Sequence, residues 1–152
     1  MALYLVQHGR NLSKDIDPDQ SLSEEGQSEV RRIAETAKAY DVIVGAIRHS
    51  GKKRAQQTAE IFAEYLNVTD VQAAEGLKAL DDVAEKANEI NPGQNLMLVG
   101  HLPFMEKMAS YLTTGSPDYT VFKFQNGGIV CLDQLPEKAY WAVKWAFMPN
   151  ID

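Results

Sequence analysis

The order of apolar segments constrains this chain most. Four short apolar runs (residues 3–6, 42–47, 71–73 and 96–99) are each followed by a stretch with apolar residues at helical spacing. Runs 3–6 and 96–99 are unbroken and end at glycine-containing turns, the pattern of strands buried on both faces. Run 42–47 is rich in β-branched residues, and 71–73 is the weakest of the four. The intervening stretches repeat at three and four residues: Val30, Ile33, Ala34 and Ala37; then Ala55, Ala59, Phe62, Ala63 and Leu66. Leu80, Val83, Ala84, Ala87 and Ile90 form the third set, and Phe104, Met108, Ala109 and Leu112 the fourth. Ser21-Leu22-Ser23-Glu24 fits a capping box for the first helix. Asn91-Pro92-Gly93 stops the third, and Pro103 suits the start of the fourth. Two last runs, 129–132 and 141–147, have no helix between them and are joined through Pro136-Glu137-Lys138, which reads as a hairpin.

This alternation predicts an α/β layer fold, its sheet mostly parallel with a C-terminal antiparallel hairpin. The 152 residues contain no linker, repeat or low-complexity tract, so a single domain spanning 1–152 is expected. Fifteen basic against twenty-one acidic residues give a net charge of −6. That balance argues against nucleic acid and anionic membranes as partners, since both need a basic face. The lone Cys131 sits in Ile129-Val130-Cys131-Leu132; it cannot close an internal disulfide and reads as a small buried hydrophobe. No apolar stretch approaches the roughly 20 residues of a membrane span, and the start lacks the basic region of a signal peptide. A cytoplasmic location is expected.

Ligands of such sheets bind beyond the carboxyl ends of the strands. Of the three histidines, His8, His49 and His101, two directly follow the clearest strands, each beside a glycine: His8-Gly9 and Gly100-His101. If those strands are neighbours, both imidazoles meet at one edge, and the glycines would let backbone approach a ligand. Arg48, Lys52, Lys53 and Arg54 crowd four cations into seven residues at another strand end. Arg54 opens a helix, where cations oppose the helix dipole, so an anion held between them is the expected reason. Two histidines and an arginine around a helix start suit phosphoryl transfer, which rests on positioning and charge stabilisation. A neutral histidine can attack phosphorus, and arginine matches phosphate oxygens in pairs. No Walker loop or metal-ligand spacing is present, so neither metal nor cofactor is expected.

Leu5-Val6-Gln7-His8-Gly9 resembles the Arg-His-Gly signature of the histidine phosphatase (phosphoglycerate mutase-like) superfamily. Ser50-Gly51-Lys52-Lys53-Arg54-Ala55-Gln56-Gln57-Thr58-Ala59 is similar to its second motif, and Leu98-Val99-Gly100-His101-Leu102-Pro103 to its third. Leu22-Ser23-Glu24-Glu25-Gly26 resembles the opening of its first helix, and the short length resembles the SixA-type phosphohistidine phosphatase branch. The resemblance implies a three-layer α/β/α sandwich and a metal-independent phosphatase working through a phosphohistidine enzyme intermediate. By it His8 is the nucleophile, Arg54 binds the phosphoryl oxygens and His101 donates a further hydrogen bond. Gln7, Gly9 and Arg10 are the implied substrate-binding positions. The implied partner is a phosphorylated protein bearing phosphohistidine.

Gln7 stands where the family usually has arginine, keeping N–H donors but losing the charge. Arg10, Arg48 or Lys53 would then make up the charge. Gly51 replaces a usual proline. Glu75 stands near the region from which larger members supply a general acid. Two other readings stay open: a phosphatase or mutase for a small phosphorylated metabolite, and a phospho-ligand binding module whose catalysis Gln7 has weakened.

Overall fold

The computed structural model describes residues 2–137 and 140–151. Its strands are β1 (Ala2–Gln7), β2 (Ala46–His49), β3 (Val71–Ala73), β4 (Leu96–Gly100), β5 (Ile129–Gln134) and β6 (Trp141–Phe147). They form one sheet in the order β3-β2-β4-β1-β5-β6. The first four in that order run parallel, whereas β5 is antiparallel to β1 and β6 to β5. The expected mostly parallel sheet with a terminal hairpin is therefore present. Of the residues expected to join the hairpin, Lys138 lies outside the described residues.

Helices α1 (Glu24–Ala39), α2 (Lys53–Leu66), α3 (Val83–Ala87) and α4 (Phe104–Thr114) cover the two faces. Side chains alternate across a strand, so β1 divides its apolar residues between two cores. Tyr4 and Val6 pack with Val30, Ile33 and Ala34 of α1 and Ala55, Ala59 and Phe62 of α2. Leu3 and Leu5 pack with Val83 of α3 and Phe104, Met105, Met108 and Leu112 of α4. Those two cores make the three layers. Phe62 is fully buried, and truncating such a side chain to alanine costs about 3–5 kcal/mol. Cys131 is buried in the first core, where desolvation pushes its thiol up to about 11. Among the described residues no helix is long and apolar enough to cross a membrane.

The structure departs from the periodicity in four places. β2 begins at Ala46, not at 42, because Ala46 pairs with Leu96, the first residue of β4; it then continues through Arg48 and His49. α3 is a single short turn capped by Asp82, whose side chain accepts from Ala84 N–H and Glu85 N–H. That cap leaves Leu80 outside the helix and 86% exposed. The cap of α1 is Ser23, accepting from Gly26 N–H at 3.0 Å, and not Ser21. Glycine stands where a capping box needs a carboxylate because a Cβ there would meet the Arg10 carbonyl oxygen at 2.1 Å. Pro103 immediately precedes α4 as its N-cap, after a cis Leu102–Pro103 bond.

Candidate active site

β1 and β4 are neighbours, with Gln7 opposite Gly100, and His8 N–H donates to the Gly100 carbonyl at 2.9 Å. The two strands thus deliver His8 and His101 side by side, with ring centroids 5.0 Å apart. β2 flanks β4 on its other side and feeds into α2, whose first turn carries Arg54. The charge of Arg54 bears on both imidazoles.

The two rings are held by opposite nitrogens. His8 Nδ1 lies 2.7 Å from the Gly9 carbonyl oxygen. A carbonyl only accepts, so Nδ1 carries the proton and Nε2 keeps its lone pair. Burial holds the His8 pKa below the ordinary histidine value; the Gly9 bond works against that shift, and Arg54 adds to it. His101 Nε2 lies 2.6 Å from Ser50 Oγ, and Lys52 N–H donates to the same oxygen at 3.4 Å. In one of the two tautomers this distance allows, the Ser50 hydroxyl donates to Nε2. The remaining proton of a neutral ring is then on Nδ1. Burial, followed by the charges of His8, Arg54 and Lys52, brings the His101 pKa down to about 4. At neutral pH both rings are therefore neutral, and in that tautomer a free Nε2 lone pair on His8 stands beside an Nδ1–H donor on His101.

The surrounding loops fix His8 through its backbone. Gly9 N–H donates to Thr58 Oγ1 at 2.9 Å, and the Thr58 hydroxyl donates to the Arg54 carbonyl at 2.8 Å. This buried hydroxyl ties the His8 loop to the turn carrying Arg54. Asn126 Nδ2–H donates to the His8 carbonyl at 2.9 Å, and Gly127 N–H to the Gln7 carbonyl at 2.9 Å.

Several expected roles change in this setting. The glycines beside the histidines make room for protein, not for a ligand. A Cβ on Gly9 would stand 2.7 Å from Val30 Cγ2, and one on Gly100 would stand 2.9 Å from both the Leu77 carbonyl oxygen and Met105 Cε. With its N–H on Thr58, Gly9 has no free backbone donor for a substrate. Arg10 is bound to the start of α1, its guanidinium 3.0 Å from Glu25 and 3.1 Å from Glu29. Arg48 grips both oxygens of Asp70 at 2.8 and 3.0 Å. Neither arginine is thus available to replace the charge missing at Gln7, and Lys53 bears on Asp17. Besides Arg54, Lys52 is the cation whose charge reaches His101. Gln7 ends β1 half-buried; its side chain makes no hydrogen bond among the described residues, and its carboxamide oxygen is buried. His49 stays apart: its Nδ1 accepts from Gly51 N–H at 3.2 Å and holds the turn before α2.

Glu75 follows β3 and lines a cleft together with Ser50 and Lys52. Its backbone carbonyl accepts from Lys86 Nζ at 2.8 Å, which fixes the loop carrying it. Among the described residues no three His, Cys, Asp or Glu side chains are grouped to hold a metal ion. Asn126 carried no sequence signal, whereas Ser50 and Thr58 stand in the segment similar to the second motif but were given no role of their own.

Residues 3–82 match the sequence model of the histidine phosphatase superfamily (branch 1). The match takes in His8 and Arg54 and stops short of His101. No curated protein matches the chain. Among solved structures, the protein histidine phosphatase SixA complexed with tungstate is 24% identical, with a TM-score of 0.83 over 98% of this chain and 97% of that one. A protein proposed to be the phosphohistidine phosphatase SixA of Agrobacterium tumefaciens is 22% identical, with a TM-score of 0.76 over 97% of each chain. A mutant phosphoserine phosphatase from Entamoeba histolytica in complex with phosphoserine is 15% identical, with a TM-score of 0.70 over 95% of each. At these identities the likeness is one of fold.

Proposed function

The chain belongs to the histidine phosphatase superfamily, and from that footing we propose that it is a phosphatase that removes the phosphoryl group from protein phosphohistidine by way of phospho-His8. The observation that carries this reading is the paired histidines 5.0 Å apart, with Nδ1 of His8 and Nε2 of His101 already engaged. The lone pair of His8 Nε2 attacks phosphorus while the bond from phosphorus to the substrate nitrogen breaks. The departing imidazole takes up a proton from solvent. Water then attacks the phosphorus of phospho-His8, the P–Nε2 bond breaks with its electron pair returning to the ring, and the proton lost by the water passes to solvent as phosphate leaves. Arg54 and the Nδ1–H of His101 donate to the phosphoryl oxygens, whose charge is the main thing the site must stabilise.

An imidazole leaves more readily than an alkoxide, so a phosphohistidine substrate asks little of a general acid. The fold likeness to the SixA structures agrees with that substrate. A second reading, hydrolysis of a small phosphate ester, is favoured by one observation: Glu75 lines the cleft beside Ser50, where an acid for an alkoxide would be wanted. Turnover of a phosphohistidine peptide should be compared with that of phosphoserine and sugar phosphates, in the wild type and in Glu75→Gln. The proposal predicts a preference for the peptide that Glu75→Gln leaves in place. Faster turnover of an ester, lost in Glu75→Gln, would establish the second reading instead.

A further inference from the structure

Beside the phosphoryl site runs a groove between the 10–20 loop and the start of α2. Lys14, Lys52, Lys53 and Arg54 line it, against the single carboxylate of Asp19. None of the four cations forms an ion pair with a carboxylate among the described residues, whereas Arg10, Arg48 and Lys86 are all paired. Asp17, in the same loop, directs its carboxylate to Asp19 N–H and Ser21 N–H, at 3.1 and 3.0 Å. The first turn of α2 contains no acidic residue. A chain with a net charge of −6 thus gathers four cations along one groove that includes Arg54, none of them in an ion pair among the described residues and only Lys53 bearing on a nearby carboxylate, that of Asp17. The groove on the other side of the Glu75 loop is the reverse, lined by Glu75, Asp81, Asp82, Glu85 and Glu89 against Lys78 and Lys86.

We propose that the cationic groove is a docking subsite for carboxylates of the phosphorylated protein, with Lys14 and Lys53 receiving an acidic segment next to the phosphorylated side chain. Lys52 stands where this subsite meets the phosphoryl site. The inference rests on the phosphatase reading above and adds the charge of the partner to it. The type of cation favours carboxylates spread along a chain over a second phosphate of a small molecule. Lysine offers a point charge on a flexible stem, whereas a fixed phosphate is better matched by the arginine fork. The acidic groove on the far side would repel the same segment, so the two together set the direction in which a partner lies.

The test uses two phosphohistidine peptides with the same core, one with acidic and one with neutral flanks, together with phosphoramidate. The wild type should prefer the acidic peptide by about 10-fold in kcat/KM at low salt, and the preference should fade as salt is raised. Lys14→Glu/Lys53→Glu should abolish the preference and leave phosphoramidate turnover unchanged, with Lys14→Gln/Lys53→Gln in between. Absence of a preference in the wild type, or equal losses on all three substrates, overturns the proposal. Binding of the same peptides carrying a stable phosphonate in place of phosphohistidine separates the two levels. If nothing is hydrolysed but the acidic peptide still binds through Lys14 and Lys53, the subsite stands and the phosphatase reading falls.

Discussion

His8 and His101 leave the ends of adjacent parallel strands at the same level of the sheet, yet they are bound by opposite ring nitrogens. His8 is half-buried and tied to a backbone carbonyl, which makes Nδ1 a donor and leaves the Nε2 lone pair free. His101 is buried and tied to a serine hydroxyl, which makes Nε2 an acceptor and turns Nδ1 into the donor. Under the proposed function, two identical side chains therefore serve as attacker and as neutral hydrogen-bond donor. The difference comes from one atom of environment each, and not from the strands that carry them.

That asymmetry can be broken one ring at a time. His8→Ala removes the attacking atom, and turnover should fall by at least about 10⁴-fold. His101→Ala removes a donor to the developing charge, so turnover should fall about 10²- to 10³-fold while phosphoenzyme still forms. Equal losses in the two variants, measured by steady-state turnover, would erase the distinction drawn here.

The low pKa of His101 has a consequence for stability. Its folded value of about 4 lies below the ordinary 6.5 of an unfolded chain. As pH falls through that window the unfolded state takes up the proton first, so this group lowers stability progressively and has no effect above it. The shift corresponds to roughly 3 kcal/mol by pH 4. Denaturant titrations across this window should show the slope, to which His8 and His49, also held below the ordinary value, add, and His101→Asn should reduce it. Ser50→Ala is the smallest of these effects. It frees the ring to adopt the other tautomer and should lower kcat about 10-fold with KM little changed, comparable to loss of an outer-shell partner. Ser50→Thr, which keeps the hydroxyl, should restore most of the loss; a fall in KM and kcat together would point to a packing role.

Much of this architecture was legible in the chain. Runs 3–6 and 96–99 emerged as the two central strands because strands buried on both faces must be apolar throughout. Leu80 misled because helical spacing continues past a cap, and only Asp82 marks where the helix begins. His8, Arg54 and His101 were recognisable because each sits at a strand end or helix start. The contacts they make were not. Ser50 and His101 are separated by 51 positions, and Asn126 and His8 by 118, so only the folded sheet brings them together. The glycines were misread for a related reason: what a missing side chain makes room for depends on the element packed above it, here Val30 of α1 and the Leu77 carbonyl.

The most direct test is to quench the enzyme during turnover of a ³²P-labelled phosphohistidine peptide and map the label. The account predicts a base-stable, acid-labile phosphoryl group on Nε2 of His8, absent from His8→Ala and still present in His101→Ala. Label on His101, or turnover with no labelled enzyme in the wild type and in the slowed His101→Ala variant, would contradict it.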